Sequence, residues 1–258
     1  MPVRDACAGV AAHVCRASRK DLRDAVEAAR AAQVKWAEST AYLRGQVLYR
    51  LAEMMEGKRA EFVASIGGDP AGARREVSAA IDRVVAFAGW PDKVGQVLGG
   101  QNAVAGPYHN FTIPEPVGVV GVVCPEDAPL LAMVSLCLPA VATGSGVVAL
   151  ASGASPIPAM VLAEALATSD LPGGVWNILT GDAAELVPQF ASHRGIDGVH
   201  AGGLSAAHRA TLREGAAENL KRVRVVDGPD FFDDALWESP RAIEPFVEFK
   251  TIWHPSAT

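Results

Sequence analysis

Between positions 117 and 226 strand-like runs alternate with stretches of helical spacing. The runs fall at 117–123, 146–150, 175–179, 198–200 and 222–226, and the helical intervals at 129–142, 157–168, 182–192 and 205–219. The first run, Val117-Gly118-Val119-Val120-Gly121-Val122-Val123, carries no polar side chain, which fits a strand covered on both faces. Strands alternating with helices of about ten to fifteen residues predict a doubly wound parallel α/β sheet with right-handed crossovers, the Rossmann-like class.

On either side of this core the pattern changes. From Ser18 to about Trp90, apolar residues recur at three- and four-residue steps among strong helix formers. Leu22, Val26, Ala29 and Gln33 mark one face; Leu48, Leu51, Met54 and Met55 mark another. Thr40 is placed to cap the second helix, and Gly67-Gly68-Asp69-Pro70 interrupts before a helix through Val77, Ile81, Val84, Val85 and Phe87. Residues 108–113 alternate, and Pro114 and Pro116 restrict that strand to a sheet edge. The stretch 228–240 mixes acidic, aromatic and Pro residues without a period and reads as a linker. Residues 246–253 then alternate as one last strand, which needs an edge from the 108–113 strand or from another subunit.

Composition limits the partners. The chain has 258 residues, 50% of them hydrophobic, and can bury a substantial core. With 23 Lys and Arg against 29 Asp and Glu, and no basic cluster, nucleic acid is not an expected partner. Cys7, Cys15, Cys124 and Cys137 show no CxxC pair and no disulfide density, so a reducing, cytoplasmic setting is expected. The histidines have no HxxxH or HxH spacing, so no metal is expected. The N-terminus lacks the apolar region of a signal peptide, and no window reaches the roughly 18 apolar residues that span a bilayer, so no membrane is expected.

Several segments resemble the aldehyde dehydrogenase superfamily, in the family's own order. Pro114-Glu115-Pro116-Val117-Gly118-Val119-Val120-Gly121-Val122-Val123-Cys124-Pro125-Glu126-Asp127-Ala128-Pro129 is similar to the family's EPxGVVGxIxPWNFP segment. Leu138-Pro139-Ala140-Val141-Ala142-Thr143-Gly144 resembles LxPALAxGN, residues 171–181 resemble LPxGVxNxxTG, and Asn219-Leu220-Lys221-Arg222-Val223 resembles NLKxV. The tail from Glu244 to Trp253 is similar to the family's C-terminal strand. The family's stretch between the glutamate strand and that last strand, its catalytic domain, has no counterpart. In this the chain resembles the non-catalytic second domain of family-16 aldehyde dehydrogenases. The resemblance implies N-terminal helices over 1–107, an oligomerisation flap from 108–116 with 241–258, a nucleotide-type domain over 117–227, and a linker at 228–240 in place of the catalytic domain.

Aldehyde oxidation on this plan needs a thiolate nucleophile, an amide-lined oxyanion site, a general base and a nicotinamide to accept hydride. By the resemblance, the oxyanion Asn falls on Asp127, whose charge would repel an oxyanion. The general-base Glu falls on Val226, with Asp227 and Pro229 breaking the rest of its motif. No cysteine has the family's GQxC context, and Cys124 and Cys137 read as small buried apolar residues. No catalytic residue is assigned. The ribose-binding Lys falls on Leu150 and the Glu that shares that ribose on Gly153, neither of which can make those bonds. The pyrophosphate-contacting Ser falls on Gly203 in His200-Ala201-Gly202-Gly203, which leaves Gly202 and Gly203, just before a helix, as a degenerate pyrophosphate site. NAD(P) binding is therefore a weakened expectation, and no bound cofactor is expected.

The remaining polar groups have structural readings. Glu126 and Asp127 read as a solvated turn, with Asp127 near the N-terminus of the next helix. His200 and His208 flank the Gly-Gly turn and read as surface residues at a helix end. Loss of a domain that packs on the end of the sheet is expected to leave apolar surface uncovered. These readings lead to a pseudoenzyme that serves as a structural or regulatory subunit, in a homo-oligomer or with a full-length aldehyde dehydrogenase. The alternative is an NAD(P)-dependent oxidoreductase acting on aldehydes, with catalytic groups supplied by a partner chain.

Overall fold

The computed structural model describes residues 1–4, 10–228 and 230–256. A short antiparallel hairpin, β1 (Pro2–Arg4) and β2 (Val10–His13), opens the chain. It leads into α1 (Arg19–Glu38), α2 (Ala41–Gly57), α3 (Arg59–Ile66), α4 (Pro70–Ala88) and the one-turn α5 (Val94–Val97). The hairpin lay outside the helical reading of the first hundred residues. The helices start where the capping chemistry predicts. Ser18 accepts from the Lys20 amide at 3.2 Å while Asp21 accepts from the Ser18 amide at 2.7 Å, a capping box. Thr40 accepts from the Leu43 amide at 3.1 Å, and Asp69 accepts from the Gly72 amide at 2.8 Å ahead of α4, with Pro70 as the first helical residue.

Next come β3 (Gly100–Asn102) and β4 (Tyr108–Pro116), followed by the alternating core: β5 (Val119–Val123), α6 (Pro129–Thr143), β6 (Gly146–Leu150), α7 (Ile157–Ala167), β7 (Trp176–Leu179), α8 (Ala183–Ser192), β8 (Gly198–Gly202), α9 (Ala206–Asn219) and β9 (Arg222–Val226). The strands form a five-stranded parallel sheet in the order β7-β6-β5-β8-β9. Its central strand, β5, sets Val120 beside Val147 of β6 and Gly198 of β8. One face buries Val120, Val122, Val147 and Ala149 against α6 and the helical layer beyond it. The other buries Val119, Val123, Val148 and Val199 against Leu22 and Val26 of α1, Phe190 of α8 and Leu212 of α9. Gly121 lets α8 approach, since a Cβ there would stand 2.5 Å from the Phe190 ring. Helices on both faces give the doubly wound α/β fold that the strand–helix alternation predicts.

After β9 the chain forms α10 (Asp234–Trp237), α11 (Pro240–Ile243), a 3-10 turn at Glu244–Phe246, and β10 (Val247–Pro255). β10 pairs antiparallel with β4 along its whole length, from Val247 opposite Pro116 to Pro255 opposite Tyr108. With β3 on the far side of β4 this makes a three-stranded sheet in the order β10-β4-β3. None of the described helices is long and apolar enough to cross a membrane.

Candidate functional site

Strand order reverses beside β5, which leads through α6 to β6 on one side while β8 lies on the other. In open α/β sheets the crevice beyond the carboxyl ends of such strands is where ligands bind. Here its floor is made by residues 124–128 after β5, 151–156 after β6 and 203–205 after β8.

The turn after β5 bends through Ala128, which has a left-handed φ of 48° and starts α6 without a side-chain cap. The amides of α6 find their acceptor elsewhere. Glu76 of α4, buried to 7% exposure, accepts from Leu130 at 2.8 Å and Leu131 at 3.2 Å. Burial pushes the Glu76 carboxyl above the usual carboxylate range, opposed by those two amides. Asp127, expected near this helix start, is exposed, and Glu76 takes the amides that would have explained its place. No local spacing advertises Glu76, because it reaches α6 from 54 residues earlier in the chain.

Glu126 organises the other side of the crevice. Its carboxylate accepts from the Ser152 hydroxyl at 2.5 Å, the Ala154 amide at 2.7 Å and the Gly153 amide at 3.3 Å. Ser152 in turn accepts from the Ser155 amide at 3.1 Å, so the β6–α7 loop is tied to the end of β5. Leu150, 1% exposed, closes β6 with an apolar side chain. A side chain at Gly153 would begin 3.3 Å from the Glu126 carboxylate. Beside this latch lies a cavity of about 400 Å³ that Cys124, Glu126, Leu150 and Gly153 share with Met1 and Asp182. Burial pushes the Cys124 thiol far above its ordinary value, with Glu126 adding to the shift, and burial does the same to Cys137. Both behave as the apolar residues expected. Cys15 is exposed, and Cys7 lies outside the described residues.

The structure places Gly202 at the buried end of β8 and Gly203 just beyond it, exposed. Gly203 has φ +63°, and a Cβ there would stand 2.8 Å from that of Pro125. Its amide donates to the Val226 carbonyl at 3.2 Å, so this N–H extends the β8–β9 ladder by one bond. Ser205 caps α9 by accepting from the His208 amide at 3.2 Å. His200 corrects the surface reading: it is fully buried on β8, facing α6. Its Nδ1 lies 2.8 Å from the Leu136 carbonyl, and Nε2 is buried with no partner. Burial lowers its pKa from 6.5 to about 3, against the opposing pull of the Leu136 carbonyl.

The segment 228–240, read as a linker, is built into the core. Phe231 and Trp237 are buried and stacked with ring centroids 4.9 Å apart, and Phe246 lies 4.8 Å from the His200 ring. Arg83 of α4, fully buried, holds the segment down. It donates to Ser135 Oγ at 2.7 Å, Asp234 Oδ1 at 2.9 Å, the Phe231 carbonyl at 3.1 Å and Glu238 Oε1 at 3.3 Å. Trp90 adds a bond from Nε1 to the Glu238 carbonyl at 3.0 Å. The segment thus adds its own apolar side chains to the core beside α4 and α6. Pro229 lies outside the described residues.

The sequence profile of the aldehyde dehydrogenase family matches residues 3–228. This chain belongs to the aldehyde dehydrogenase family. The mitochondrial aldehyde dehydrogenase of Sus scrofa is 34% identical over 225 residues, which cover 83% of this chain and 42% of that protein. The Aspergillus niger aldehyde dehydrogenase is 32% identical over 221 residues, 83% of this chain and 43% of that protein. An NAD+ complex of aldehyde dehydrogenase from Bacillus cereus superposes with a TM-score of 0.83 at 29% identity, over 88% of this chain and 47% of that one. The chain therefore spans less than half the length of these relatives. The shared half is the Rossmann-like sheet with its helical layers.

Proposed function

We propose that this aldehyde dehydrogenase family member is a non-catalytic, structural or regulatory subunit that acts through assembly, as a homo-oligomer or with an active aldehyde dehydrogenase. The observation that carries this reading is the β4–β10 sheet. It leaves the nine-residue β10 as a sheet edge with Phe249 and Trp253 47% and 58% exposed. Long edges with exposed aromatics are templates for another chain.

The crevice argues in the same direction. Asp127 and Val226 stand where the family resemblance puts the oxyanion donor and the base, and neither side chain can do that chemistry. Polar groups at the ribose and pyrophosphate positions bond to one another: Glu126 with Ser152, Gly153 and Ala154, and the Gly203 amide with Val226. The residues present do not fit an NAD(P) ribose, and Gly202 and Gly203 keep only a degenerate pyrophosphate turn. A cytoplasmic setting is supported by the three described cysteines being free thiols.

The deciding experiment retrieves tagged protein from its native cell extract and weighs the intact complex. A defined homo-oligomer or a full-length aldehyde dehydrogenase is expected. Emergence alone as a monomer rejects the reading. The oxidoreductase alternative requires aldehyde-dependent NADH formation by the purified protein, and none is expected.

A further inference from the structure

The three-stranded sheet ends in the three-residue β3 on one side and the nine-residue β10 on the other. The direction of the β10 backbone groups follows from the ladder. The Val117 amide donates to the Phe246 carbonyl at 3.3 Å, so residues two, four, six and eight further along also point their backbone groups at β4. Glu248, Lys250, Ile252 and His254 are therefore occupied. Phe249, Thr251 and Trp253 direct N–H and C=O outward. Pro114 and Pro116 agree with this phase: they stand opposite Phe249 and Val247, where their missing amides would point away from β10. The outward carbonyl of Val247 is already taken by Arg222 at 2.5 Å.

We propose that this open edge pairs antiparallel with β10 of a second copy of the chain, about a two-fold axis through Thr251. The proposal rests on the assembly reading above and names its partner. A two-fold axis normal to the sheet keeps each side chain on its own face, so pairing partners must be an even number of residues apart. Centring on Lys250 opposes Lys250 to itself, and centring on Ile252 sets Lys250 against His254. The first juxtaposes like charges, and the second shortens the overlap to residues 249–255. Centring on Phe249 or Trp253 discards nearly half the strand. Centring on Thr251 overlaps the whole of Val247–Pro255, sets Phe249 against Trp253 twice, and sets Glu248 against His254. The outward groups of Phe249, Thr251 and Trp253 then meet one another and form about six hydrogen bonds. The result is one sheet in the order β3-β4-β10-β10-β4-β3, with its exposed aromatics gathered across the axis.

Light scattering of the purified chain gives its mass, and cysteine trapping gives the register. In a background with Cys7→Ser and Cys15→Ser, Thr251→Cys places two thiols on the axis. Cα atoms about 5.5 Å apart there lie within disulfide reach. Mild oxidation is expected to convert most of the T251C protein to a covalent dimer, while Lys250→Cys stays largely uncrosslinked. Phe249→Asp with Trp253→Asp, both exposed in the single chain, should run as a monomer with an unchanged far-UV spectrum. A dimer that K250C traps and T251C does not overturns the proposal. So does a wild-type monomer. If that monomer still retrieves a full-length aldehyde dehydrogenase, the assembly reading stands without the self-pairing; if it retrieves nothing, both fall.

Discussion

Two buried polar residues bond to adjacent positions of α6, Arg83 to Ser135 and His200 to Leu136, and each makes a measurable prediction. Arg83 has no exposed surface, yet its partners Asp234 and Glu238 are 69% and 32% exposed. Removing one member of a fully buried ion pair costs about 3–5 kcal/mol, and the solvent around these carboxylates reduces that. Arg83→Met should therefore lose roughly 2–3 kcal/mol, seen as a lower urea midpoint at unchanged slope. His200 works through protons. Its pKa is about 3 in the fold against 6.5 as the reference value. Below pH 6.5 the unfolded chain binds a proton that the folded chain refuses. Its contribution is present above pH 6.5 and lost as pH falls toward 3, by about 1.4 kcal/mol per pH unit. His200→Phe should flatten that acid limb in a plot of Tm against pH; parallel curves for the two proteins would refute the assignment. Neither role was legible in the sequence. An Arg on a helix and a His before a Gly-Gly turn look like surface residues until segments more than sixty positions away close over them.

The regular elements were far easier to read. Strands at 146–150 and 222–226 fall where the sequence puts them, the first as an apolar run and the second as an alternation of Arg and Val. β4 runs three residues past the predicted 113 because its prolines face away from β10 and break no bond in that ladder. The β1–β2 hairpin was missed, since three- and four-residue strands carry too little period to register. The β6–α7 loop was also opaque. Its order depends on Glu126, which belongs to another turn, so the loss of ribose-binding residues could be read from Leu150 and Gly153 but not what replaced them. Glu126→Ala should cost about 1 kcal/mol and speed hydrogen exchange at the Gly153 and Ala154 amides before the rest of the sheet. Unchanged protection there would show that the loop holds itself.

At the scale of the whole molecule, the match to the family profile ends at residue 228, but the core does not. Residues 231–246, which include α10 and α11, lay Phe231, Trp237, Ile243 and Phe246 into the same cluster as α4 and α6. The sequence suggested a linker there because two helices of four residues each have no period to detect. Their anchor, Arg83, lies about 150 positions earlier. That separation sets an order of events during synthesis. Until residues 231–238 leave the ribosome, α4 carries a guanidinium whose buried place in the core has only the Ser135 hydroxyl to receive it. Non-local contacts of this kind close late. The helical layer can gather early on its apolar faces, but its final register is sealed by a segment that follows α4 by about 150 residues. A cut at residue 228 would leave a buried guanidinium with the Ser135 hydroxyl in place of four acceptors.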